Sequence, residues 1–395
     1  MSEDRYQTVV VGGGPAGAVC AAAAAAAGAT VLVLERSPRR TPRCAGLVSP
    51  RAVEELDIPQ ELILRPIRGA RVHAPGGDAL HLRAPTPKGL VVDRGRTDDL
   101  LLARAEAAGA VVRRGVAAVG MDLAERTLHT TAGRVKFEVL VGADGPISAV
   151  ARWAGLDRPR QLLAAFQAVV RAGPVAEDEV EVFLGREVAP DFFAWAVPAE
   201  QGAVRVGLAS GDGRAAASRL RGLLAHRFPA AQVAGWVGGL IPIGPPPRTQ
   251  LGPVLLVGDA AGQVKPTSGG GLFFAARCAR IAGEVAAAGP AALRDYQSRW
   301  RRQVGAEIDL GLQVRGVLQK LSDEDLDRTL AALNQPAVLR FLAQHGDIDY
   351  PSRLVAAARG QPAMWAPLLR AVGALGGWTR VRELLGELLG GSGNA

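Results

Sequence analysis

The sequence predicts an α/β fold in which a parallel-sheet domain is interrupted by a β-sheet domain and followed by C-terminal helices. Three observations lead to this prediction. Residues 8–35 read as strand, glycine-rich turn, helix and second strand. Residues 254–272 read as a buried strand followed by an acidic residue, three glycines and a helix start. Between these segments, residues 161–247 contain several strands with alternating polar and apolar residues, which is typical of a sheet with one wet or cavity-lining face.

The N-terminal segment carries the pattern G-x-G-x-x-G at residues 12–17, between a valine-rich strand and a helix of small residues. Gly12 permits the tight turn, and Gly14 lets the backbone approach a pyrophosphate. Gly17 lets the helix pack on the sheet, and Glu35, at the end of the second strand, is placed to bind ribose hydroxyls. In this strand-turn-helix-strand context the pattern indicates a Rossmann-like, dinucleotide-binding domain.

The second glycine-rich segment places Asp259 just beyond a strand and glycines 269–271 at a helix start. Glycines there let the backbone approach a ligand, and free N–H groups attract electron-rich atoms. The alternative is a connection that uses its glycines only for turns, which the partner motif at residues 12–17 disfavours. A dinucleotide fold needs one phosphate loop. A second acidic motif arriving at the same sheet therefore suits a longer cofactor, FAD.

Composition excludes some classes of protein. The chain has 395 residues, 48% of them hydrophobic, enough for a large core and more than one domain. Its net charge is +8, but no dense basic run with interleaved aromatic residues appears, so nucleic acid is not the expected partner. The charge fits an anionic membrane surface or a phosphorylated substrate equally well. Three cysteines without metal-ligand spacing indicate a reducing compartment, no structural disulfide and no metal site.

No membrane span or secretion signal is expected near the N-terminus. Residues 9–34 carry no charge before the end of the second strand, but residues 12–15 interrupt the run and alanine is only weakly apolar. Glu3 and Asp4 also do not suit the basic start of a signal peptide. Apolar stretches near Trp365 and Trp378 fit either a core or a membrane-touching face. We therefore expect a cytoplasmic protein with possible peripheral membrane contact.

The predicted domain organisation is discontinuous, because the chain leaves the first domain and returns to it twice. The predicted segments are an FAD-binding domain at 1–67, 93–160 and 248–305, inserted β-hairpins at 68–92, a substrate-binding β-sheet domain at 161–247 and a C-terminal helical region at 306–395.

Three further residues are candidates for contact with substrate. Cys44 lies past the first cofactor loop beside small residues, a pattern that fits a buried inert thiol as well as a functional one. Phe193 and Trp195 are two apart on a predicted strand and so share a face. The local pattern favours a core position for these aromatic side chains over the wall of a substrate pocket.

The order of these motifs resembles the FAD-dependent oxidoreductases of the aromatic-hydroxylase superfamily. In that superfamily a Gly-Asp aspartate contacts the ribityl chain and an Asp-Gly motif lies near the pyrophosphate, which here correspond to Asp259 and to Asp144-Gly145. Within it the chain is similar to the geranylgeranyl reductase family. The similarity rests on C-A-G-L at residues 44–47, P-x-x-F-x-W-x-V-P at residues 190–198, the glycine-rich segment from Asp259 onward, and H-G-D-I-D-Y-P-S at residues 345–352.

The resemblance implies a set of site residues. The residues expected to act on the substrate are Cys44, Phe193 and Trp195. The residues expected to bind the cofactor are Gly12, Gly14, Pro15, Ala16, Gly17, Glu35, Arg36, Cys44, Ala45, Leu47, Arg94, Ala118, Asp144, Gly145, Asp259, Gly270, Gly271 and Leu272.

The implied activity is hydride transfer from reduced FAD to a carbon–carbon double bond of a prenyl lipid, with NAD(P)H or another electron donor acting transiently. Two positions depart from the family pattern: Phe193 stands where tyrosine is usual, and Val197 where phenylalanine is usual. Both changes affect the substrate pocket rather than the FAD site. The alternatives are a flavin monooxygenase of an aromatic or polyketide substrate and, more remotely, a non-catalytic prenyl-binding protein.

Overall fold

The computed structural model describes residues 4–39, 41, 43–171 and 175–361. These residues divide into two compact units, each assembled from three stretches of chain. The first unit contains the described residues of 1–62, 92–162 and 240–308, and the second those of 63–91, 163–239 and 309–395. The apolar stretches near Trp365 and Trp378, expected to form a core or a membrane-touching face, lie outside the described residues. Among the helices that are described, none is both long and apolar enough to cross a bilayer.

The strands are named in chain order. They are β1 (Asp4–Val11), β2 (Val31–Glu35), β3 (Leu47–Val48), β4 (Ile63–Ile67), β5 (Gly69–His73), β6 (Ala79–Arg83), β7 (Gly89–Val92), β8 (Val111–Arg114), β9 (Ala118–Asp122), β10 (Thr127–Thr130), β11 (Gly133–Gly142), β12 (Gln161–Arg171), β13 (Glu179–Phe183), β14 (Ala194–Pro198), β15 (Ala203–Ser210), β16 (Gln232–Ile243), β17 (Gln250–Leu251) and β18 (Val254–Leu256).

The α-helices are α1 (Pro15–Ala26), α2 (Pro50–Glu55), α3 (Arg94–Ala107), α4 (Ala149–Ala154), α5 (Ala216–Arg227), α6 (Leu272–Ala287), α7 (Tyr296–Trp300), α8 (Ala306–Leu318), α9 (Asp323–Leu333), α10 (Pro336–His345) and α11 (Pro351–Arg359). Short 3₁₀ turns lie at Gln60–Leu62, Glu200–Gly202, Gly258–Ala261 and Pro290–Asp295, and a π-helical turn lies at Arg301–Gly305.

The first unit is organised around a sheet with the strand order β17-β18-β11-β1-β2-β8. Strand β1 is parallel to β11 and β2, and β11 is parallel to β18, so these four strands end at the same edge of the sheet. Their valine and leucine side chains form a fully buried core because both faces of the sheet are covered. Helix α1 and the turn after β18 therefore begin side by side, at the edge where such sheets bind ligands.

The second unit contains a seven-stranded sheet with the order β16-β12-β15-β14-β13-β5-β6. The residues predicted as separate inserted hairpins supply β5 and β6, and β5 pairs in parallel with β13. Helix α5 covers part of one face with Leu220 and Leu224. Leu330 and Leu339, from α9 and α10, pack with Leu80 of β6. The sequence S-D-E-D at residues 322–325 predicts a helix N-cap, and the structure confirms it, since Ser322 and Asp325 form a reciprocal capping box at the start of α9.

The sequence alone predicts a helix that opens at the acidic pair Asp98-Asp99 and one long helix over residues 291–314, and the structure differs in both places. The first helix, α3, begins at Arg94, because the Asp93 side chain caps it by accepting a hydrogen bond from the Arg96 N–H at 3.0 Å. The second is divided into a 3₁₀ turn, α7, a π turn and α8. Gly305 leaves room for Arg301 within the wider π turn, since a Cβ there would lie 3.2 Å from the Arg301 Cβ.

Candidate functional site

The glycine-rich turn after β1 is closed against the end of β11. Gly12 has a φ of +108°, and a Cβ on it would collide with the backbone carbonyl of Ala143. A Cβ on Gly17 would collide in turn with the Gly12 carbonyl. At both positions the backbone of another residue comes so close that only glycine fits, as predicted from the spacing of the motif.

The N-terminus of α1 carries no side-chain cap. Gly14 occupies the N-cap position and Pro15 follows as the first helical residue. The N–H groups of Ala16 and Gly17 belong to the first turn, where no intrahelical acceptor exists. An uncapped helix N-terminus beside a glycine turn fits a pyrophosphate, because both the N–H groups and the helix dipole favour negative charge.

Glu35 ends β2 and is buried, with 6% of its surface exposed. Its carboxylate accepts hydrogen bonds from the backbone N–H of Gly13 at 3.0 Å and of Ser37 at 2.8 Å. Each carboxylate oxygen has a second lone pair, so the group can also accept a hydrogen bond from a ribose hydroxyl. Arg36, the next residue, is exposed.

Helices α1 and α6 pack closely because small residues face each other. A Cβ on Gly283 would collide with the Cys20 carbonyl and lie 2.7 Å from the Ala23 Cβ. Cys20 and Cys278 are fully buried in this region. Burial raises the pKa of Cys20 to about 12 and that of Cys278 still further, so both thiols are structural.

The second motif meets the first at the edge of the sheet. Gly258 has a φ of +65°, and a Cβ on it would lie 2.7 Å from the Ala16 Cβ in the first turn of α1. The 3₁₀ turn that follows carries Asp259. The two segments, separated by more than two hundred residues in sequence, thus form one continuous surface.

A buried hydrogen-bond network fixes the Asp259 turn from behind. The Gly258 N–H donates to the Gln263 Oε1 at 2.9 Å, and the Gln263 Nε2 donates to the Tyr296 Oη at 3.0 Å. The Tyr296 hydroxyl donates to the Leu256 carbonyl at 2.8 Å. Sequence reasoning missed this network because no local pattern connects a tyrosine on α7 to a turn some forty residues earlier.

We expect Tyr296→Phe to destabilise the protein by about 1–3 kcal/mol, because it leaves the buried Leu256 carbonyl and Gln263 amide without a partner. Urea unfolding of the FAD-free protein measures the effect. Tyr6→Phe is the matched control, since the Tyr6 hydroxyl accepts only a long hydrogen bond from Arg113 at 3.4 Å. Equal stability of the two variants would contradict the proposed importance of the network.

Beside this surface lies a cavity in the first unit. Its lining residues are Cys44, Leu47, Val48, Ser49, Ala52, Arg94, Lys265, Gly269, Gly270, Gly271, Leu272 and Phe273. Six of the predicted site residues thus share one cavity: Cys44, Leu47, Arg94, Gly270, Gly271 and Leu272. The two cationic residues that line this cavity are Arg94 and Lys265, and Arg94 is paired with the buried Asp98 at 2.8 Å.

Arg94 is the first residue of α3 and points into this region. Its guanidinium pairs with Asp98 at 2.8 Å, and its Nε is buried without a hydrogen-bond partner among the described residues. Burial opposes its charge, but the nearby Cys44 sulfur and Asp98 together raise the pKa of Arg94 above its ordinary value. A buried, unsatisfied donor of this kind fits a site that a polar ligand atom completes.

Asp259 is partly buried, and within the described residues no hydrogen bond reaches its carboxylate. Burial raises the pKa of Asp259 to about 6, an effect that the nearby Arg94 charge opposes. A carboxylate held in this way can accept hydrogen bonds from ligand hydroxyls. Its position agrees with a role in binding the ribityl chain of FAD.

The raised pKa predicts a pH dependence of stability in the FAD-free protein. The folded-state pKa, about 6, exceeds the ordinary value of 3.8, so the folded state retains a proton that the unfolded chain has released. Ionised Asp259 therefore destabilises the fold above about pH 6, and this effect disappears as the pH falls toward 4.

We expect Asp259→Asn to be more stable than the wild type at pH 7, and the difference to shrink as the pH is lowered from 6 toward 4. Denaturant unfolding at several pH values measures this. Asp157→Asn, at an exposed position, is the matched control and should show no such trend. A constant difference between Asp259→Asn and wild type across this range would contradict the raised pKa.

The N-terminus of α6 faces the same cavity. Gly271 is the N-cap and supplies no side-chain hydrogen bond to the first turn. A backbone hydrogen bond fixes Gly270, whose carbonyl accepts it from the Lys265 N–H at 3.2 Å. A Cβ on Gly271 would lie 2.8 Å from a Val264 methyl. Glycine at this position therefore lets the start of α6 pack against Val264 without a steric clash. The predicted presentation of backbone N–H groups by Gly270, Gly271 and Leu272 is consistent with this geometry.

Asp144 lies beside the glycine-rich turn, with its Cα 3.1 Å from the position of a Cβ on Gly12, whereas Ala118 lies at the hydrophobic core of the first unit. The Asp144 carboxylate accepts hydrogen bonds from the Ser148 hydroxyl at 2.6 Å and from the N–H groups of Ala149 and Val150 at 2.7 and 3.1 Å. Burial is the largest influence on this group and raises its pKa. Asp144 thus anchors α4 and orients the turn at Gly145, and Ala118 packs against the hydrophobic core. Direct cofactor contact by these residues stays a prediction.

Phe193 and Trp195 belong to the second unit. The Trp195 Nε1 donates to the Gln167 Oε1 at 3.2 Å, and a Cβ on Gly207 would lie 2.6 Å from the indole ring. Phe193 meets Trp195 edge-to-face, with ring centroids 6.1 Å apart. Phe193 precedes β14 rather than lying within it. Sequence reasoning missed Gln167 and Gly207, which fix the indole through cross-strand neighbours.

Comparisons with known proteins agree with this arrangement. A family model described as an FAD binding domain matches residues 5–208. Digeranylgeranylglycerophospholipid reductase 2 of Methanothermobacter thermautotrophicus is 34% identical over 385 residues, covering 89% of this chain and 98% of the relative. The corresponding reductase of Methanosarcina acetivorans is 30% identical, covering 84% of this chain and 89% of that protein.

Solved structures show the same fold. A geranylgeranyl bacteriochlorophyll reductase-like protein from Thermoplasma acidophilum superposes with a TM-score of 0.81 at 23% identity, covering 94% of this chain and all of that chain. The OxyS anhydrotetracycline hydroxylase from Streptomyces rimosus superposes with a TM-score of 0.64 at 24% identity, covering 86% of this chain and 75% of that one. At these identities the structures establish the fold alone, and the predicted α/β fold is confirmed.

Proposed function

The chain belongs to the family of FAD-binding oxidoreductases that includes the digeranylgeranylglycerophospholipid reductases, and we propose that it saturates carbon–carbon double bonds in the prenyl chains of a glycerophospholipid or related isoprenoid lipid. The observation that carries this proposal is the cavity beside the α6 N-terminus, where Cys44, Arg94 and the glycines of the second motif converge. The names of the sequence relatives supply the class of substrate.

The residues of the first unit fit FAD. The uncapped start of α1 would hold the pyrophosphate, Glu35 the adenosine ribose and Asp259 the ribityl hydroxyls. The buried, unpartnered Arg94 Nε would donate to a polar atom of the cofactor. When bound, FAD supplies the chemistry: its reduced form gives a hydride to one alkene carbon while the neighbouring carbon takes a proton, which leaves oxidised FAD and a saturated bond.

Cys44 is the chain's own candidate for contact with the reacting carbons. It lines the cavity, and its sulfur accepts a hydrogen bond from the Gly46 N–H at 3.4 Å. The adjacent β3 residue Leu47 adds an apolar wall. In this proposal Cys44 orients the alkene and helps to exclude water.

Phe193 and Trp195 are proposed to bind the prenyl chain by shape and apolar contact. The indole N–H is already occupied by Gln167, so the ring presents an apolar surface to its other neighbours. An isolated alkene offers no polar handle, and aromatic side chains are well suited to such a chain. The phenylalanine at position 193 leaves no hydroxyl at that point.

Reduction of a lipid under anaerobic conditions tests the proposal. The purified FAD-loaded protein is reduced with dithionite and mixed with an unsaturated digeranylgeranyl glycerophospholipid. Mass spectrometry should show a gain of two hydrogens for each saturated bond, and protein without reductant is the control. A hydroxylated product that forms only with oxygen and NAD(P)H would instead support a monooxygenase.

A lipid substrate requires access to a membrane surface, and we propose peripheral contact driven in part by the net charge of +8. We expect the protein to float with vesicles that contain anionic lipid and to be released by salt, because screening shortens the range of the attraction. Neutral vesicles are the control. Equal flotation with both kinds of vesicle, insensitive to salt, would contradict this electrostatic contribution.

A further inference from the structure

The side chains of Phe193 and Trp195 are held in different ways. The indole of Trp195 lies across Gly207 on the neighbouring strand, and its N–H donates to the Gln167 Oε1 at 3.2 Å. Phe193 precedes β14, and its carbonyl accepts a hydrogen bond from the Ala209 N–H at 3.2 Å, which fixes only its backbone. A phenyl ring has no polar atom, so the orientation of the Phe193 ring depends on the groups that pack against it.

On the side away from Trp195, Phe193 packs against Phe192, and Phe192 contacts Arg315 of α8. The two phenyl rings stack, with centroids 4.3 Å apart and an angle of 19° between their planes. The guanidinium carbon of Arg315 lies 5.4 Å from the centroid of the Phe192 ring, within the range of a cation–π contact. Only 5% of Arg315 is exposed, so this contact is largely shielded from water. Arg315, Phe192, Phe193 and Trp195 therefore form one continuous series of contacts, here called the aromatic series.

Arg315 also lies near the turn that leads into the aromatic series. Asp191 has a φ of +67°, a conformation that residues with a side chain rarely adopt. The Phe192 N–H closes this turn by donating to the Ala189 carbonyl at 3.1 Å. Burial lowers the pKa of Arg315, and the attraction of the nearby Asp191 carboxylate opposes that effect. One guanidinium thus attracts the strained residue of the turn and contacts the ring that follows it.

We propose that Arg315 is a positioning residue that sets the orientation of Phe193 and, through it, the shape of the apolar surface that binds the prenyl chain. Trp195 supplies the fixed part of this surface, because Gln167 and Gly207 hold the indole from the sheet. Arg315 acts through Phe192 and does not itself contact the substrate. The inference rests on the proposed role of Phe193 and Trp195 in binding the lipid.

The first measurement follows the orientation of Phe193 without any lipid. In a proton–nitrogen NMR spectrum of the FAD-loaded protein, the indole N–H signal of Trp195 is identified by its absence from Trp195→Phe. Phe193 meets this indole edge-to-face, so a turn of the phenyl ring changes the ring-current shift of the signal. We expect Arg315→Met to shift the signal, and the same substitution to cause no further shift when Phe192→Leu is already present.

The second measurement is the affinity of the oxidised, FAD-loaded protein for a digeranylgeranyl glycerophospholipid in detergent, measured by calorimetry. We expect Arg315→Met to raise the dissociation constant about tenfold, which is the size of one cation–π contact shielded from water. Arg315→Lys keeps the charge but loses the planar contact, so it should give an intermediate value. The double variant with Phe192→Leu should bind no more weakly than Phe192→Leu alone, whereas a merely structural role for Arg315 would add its own loss.

Arg221→Met is the matched control, because Arg221 is an exposed arginine of α5 in the same unit, and it should change neither measurement. If Arg315→Met does not fold, Arg315→Gln replaces it. An unshifted indole signal in the folded variant would overturn the proposal, as would a shifted signal with unchanged lipid affinity. If the signal shifts but the wild type binds no prenyl lipid, the proposed substrate is wrong and the positioning of Phe193 by Arg315 stands.

Discussion

The Asp259→Ala variant is expected to lose most of its bound FAD on purification. The Asp259 carboxylate lies near the start of α6, with its Oδ1 3.5 Å from the position of a Cβ on Gly271, and it has no hydrogen-bond partner among the described residues. It is therefore available to the ribityl hydroxyls. Loss of hydrogen bonds to a charged acceptor reduces the free energy of FAD binding by about 1.5–3 kcal/mol. This corresponds to a roughly tenfold to hundredfold larger dissociation constant. Quenching of FAD fluorescence during titration of the FAD-free protein measures this change.

Asp157→Ala is the control for this experiment, because Asp157 is exposed and belongs to the same unit. It should bind FAD like the wild type. Full FAD occupancy and an unchanged dissociation constant in Asp259→Ala would contradict the assignment of this carboxylate to the cofactor.

The Cys44→Ala variant is expected to retain FAD but to reduce the alkene more slowly. Cys44 lines the cavity rather than the packed interior, so its removal alters the space beside the cofactor. Misplacement of the reacting atoms predicts a roughly tenfold to hundredfold lower rate. Anaerobic single-turnover measurements, which follow reoxidation of prereduced FAD by the lipid, give this rate directly.

Cys20→Ala provides the matched control, since Cys20 is a fully buried thiol of α1 and is not among the residues that line the cavity. We expect it to change stability but not the rate of alkene reduction. If Cys44→Ala turned over at the wild-type rate, the thiol would be structural, as its local sequence also allowed.

The sequence was informative wherever backbone chemistry dictates residue type. Gly12 and Gly17 occupy positions where any side chain would collide with backbone, so their spacing alone identified the turn. Glu35 follows from the same unit, because the second strand must end beside that turn. Asp259 could be recognised for a similar reason, since the buried strand before it and the glycines after it are both local features.

Long-range packing could not be predicted in this way. Tyr296 supports the Asp259 turn through Gln263, and Trp195 is held by Gln167 on another strand. Neither partner is marked by a local pattern, because cross-strand and helix-to-turn contacts depend on topology. The Asp144 carboxylate likewise anchors α4, a use that its motif did not reveal.

Residue patterns alone were enough to predict the α/β class, the FAD-binding motifs and the resemblance to prenyl reductases. These depend on local steric rules and on short runs of apolar residues. Only the tertiary structure placed Cys44, Arg94 and the second motif around one cavity, and only it showed Lys265 buried against Gly270. The physical reason is that burial and electrostatic surroundings arise when distant segments pack together. The second glycine-rich segment was recognisable from its sequence, but its charge environment was not.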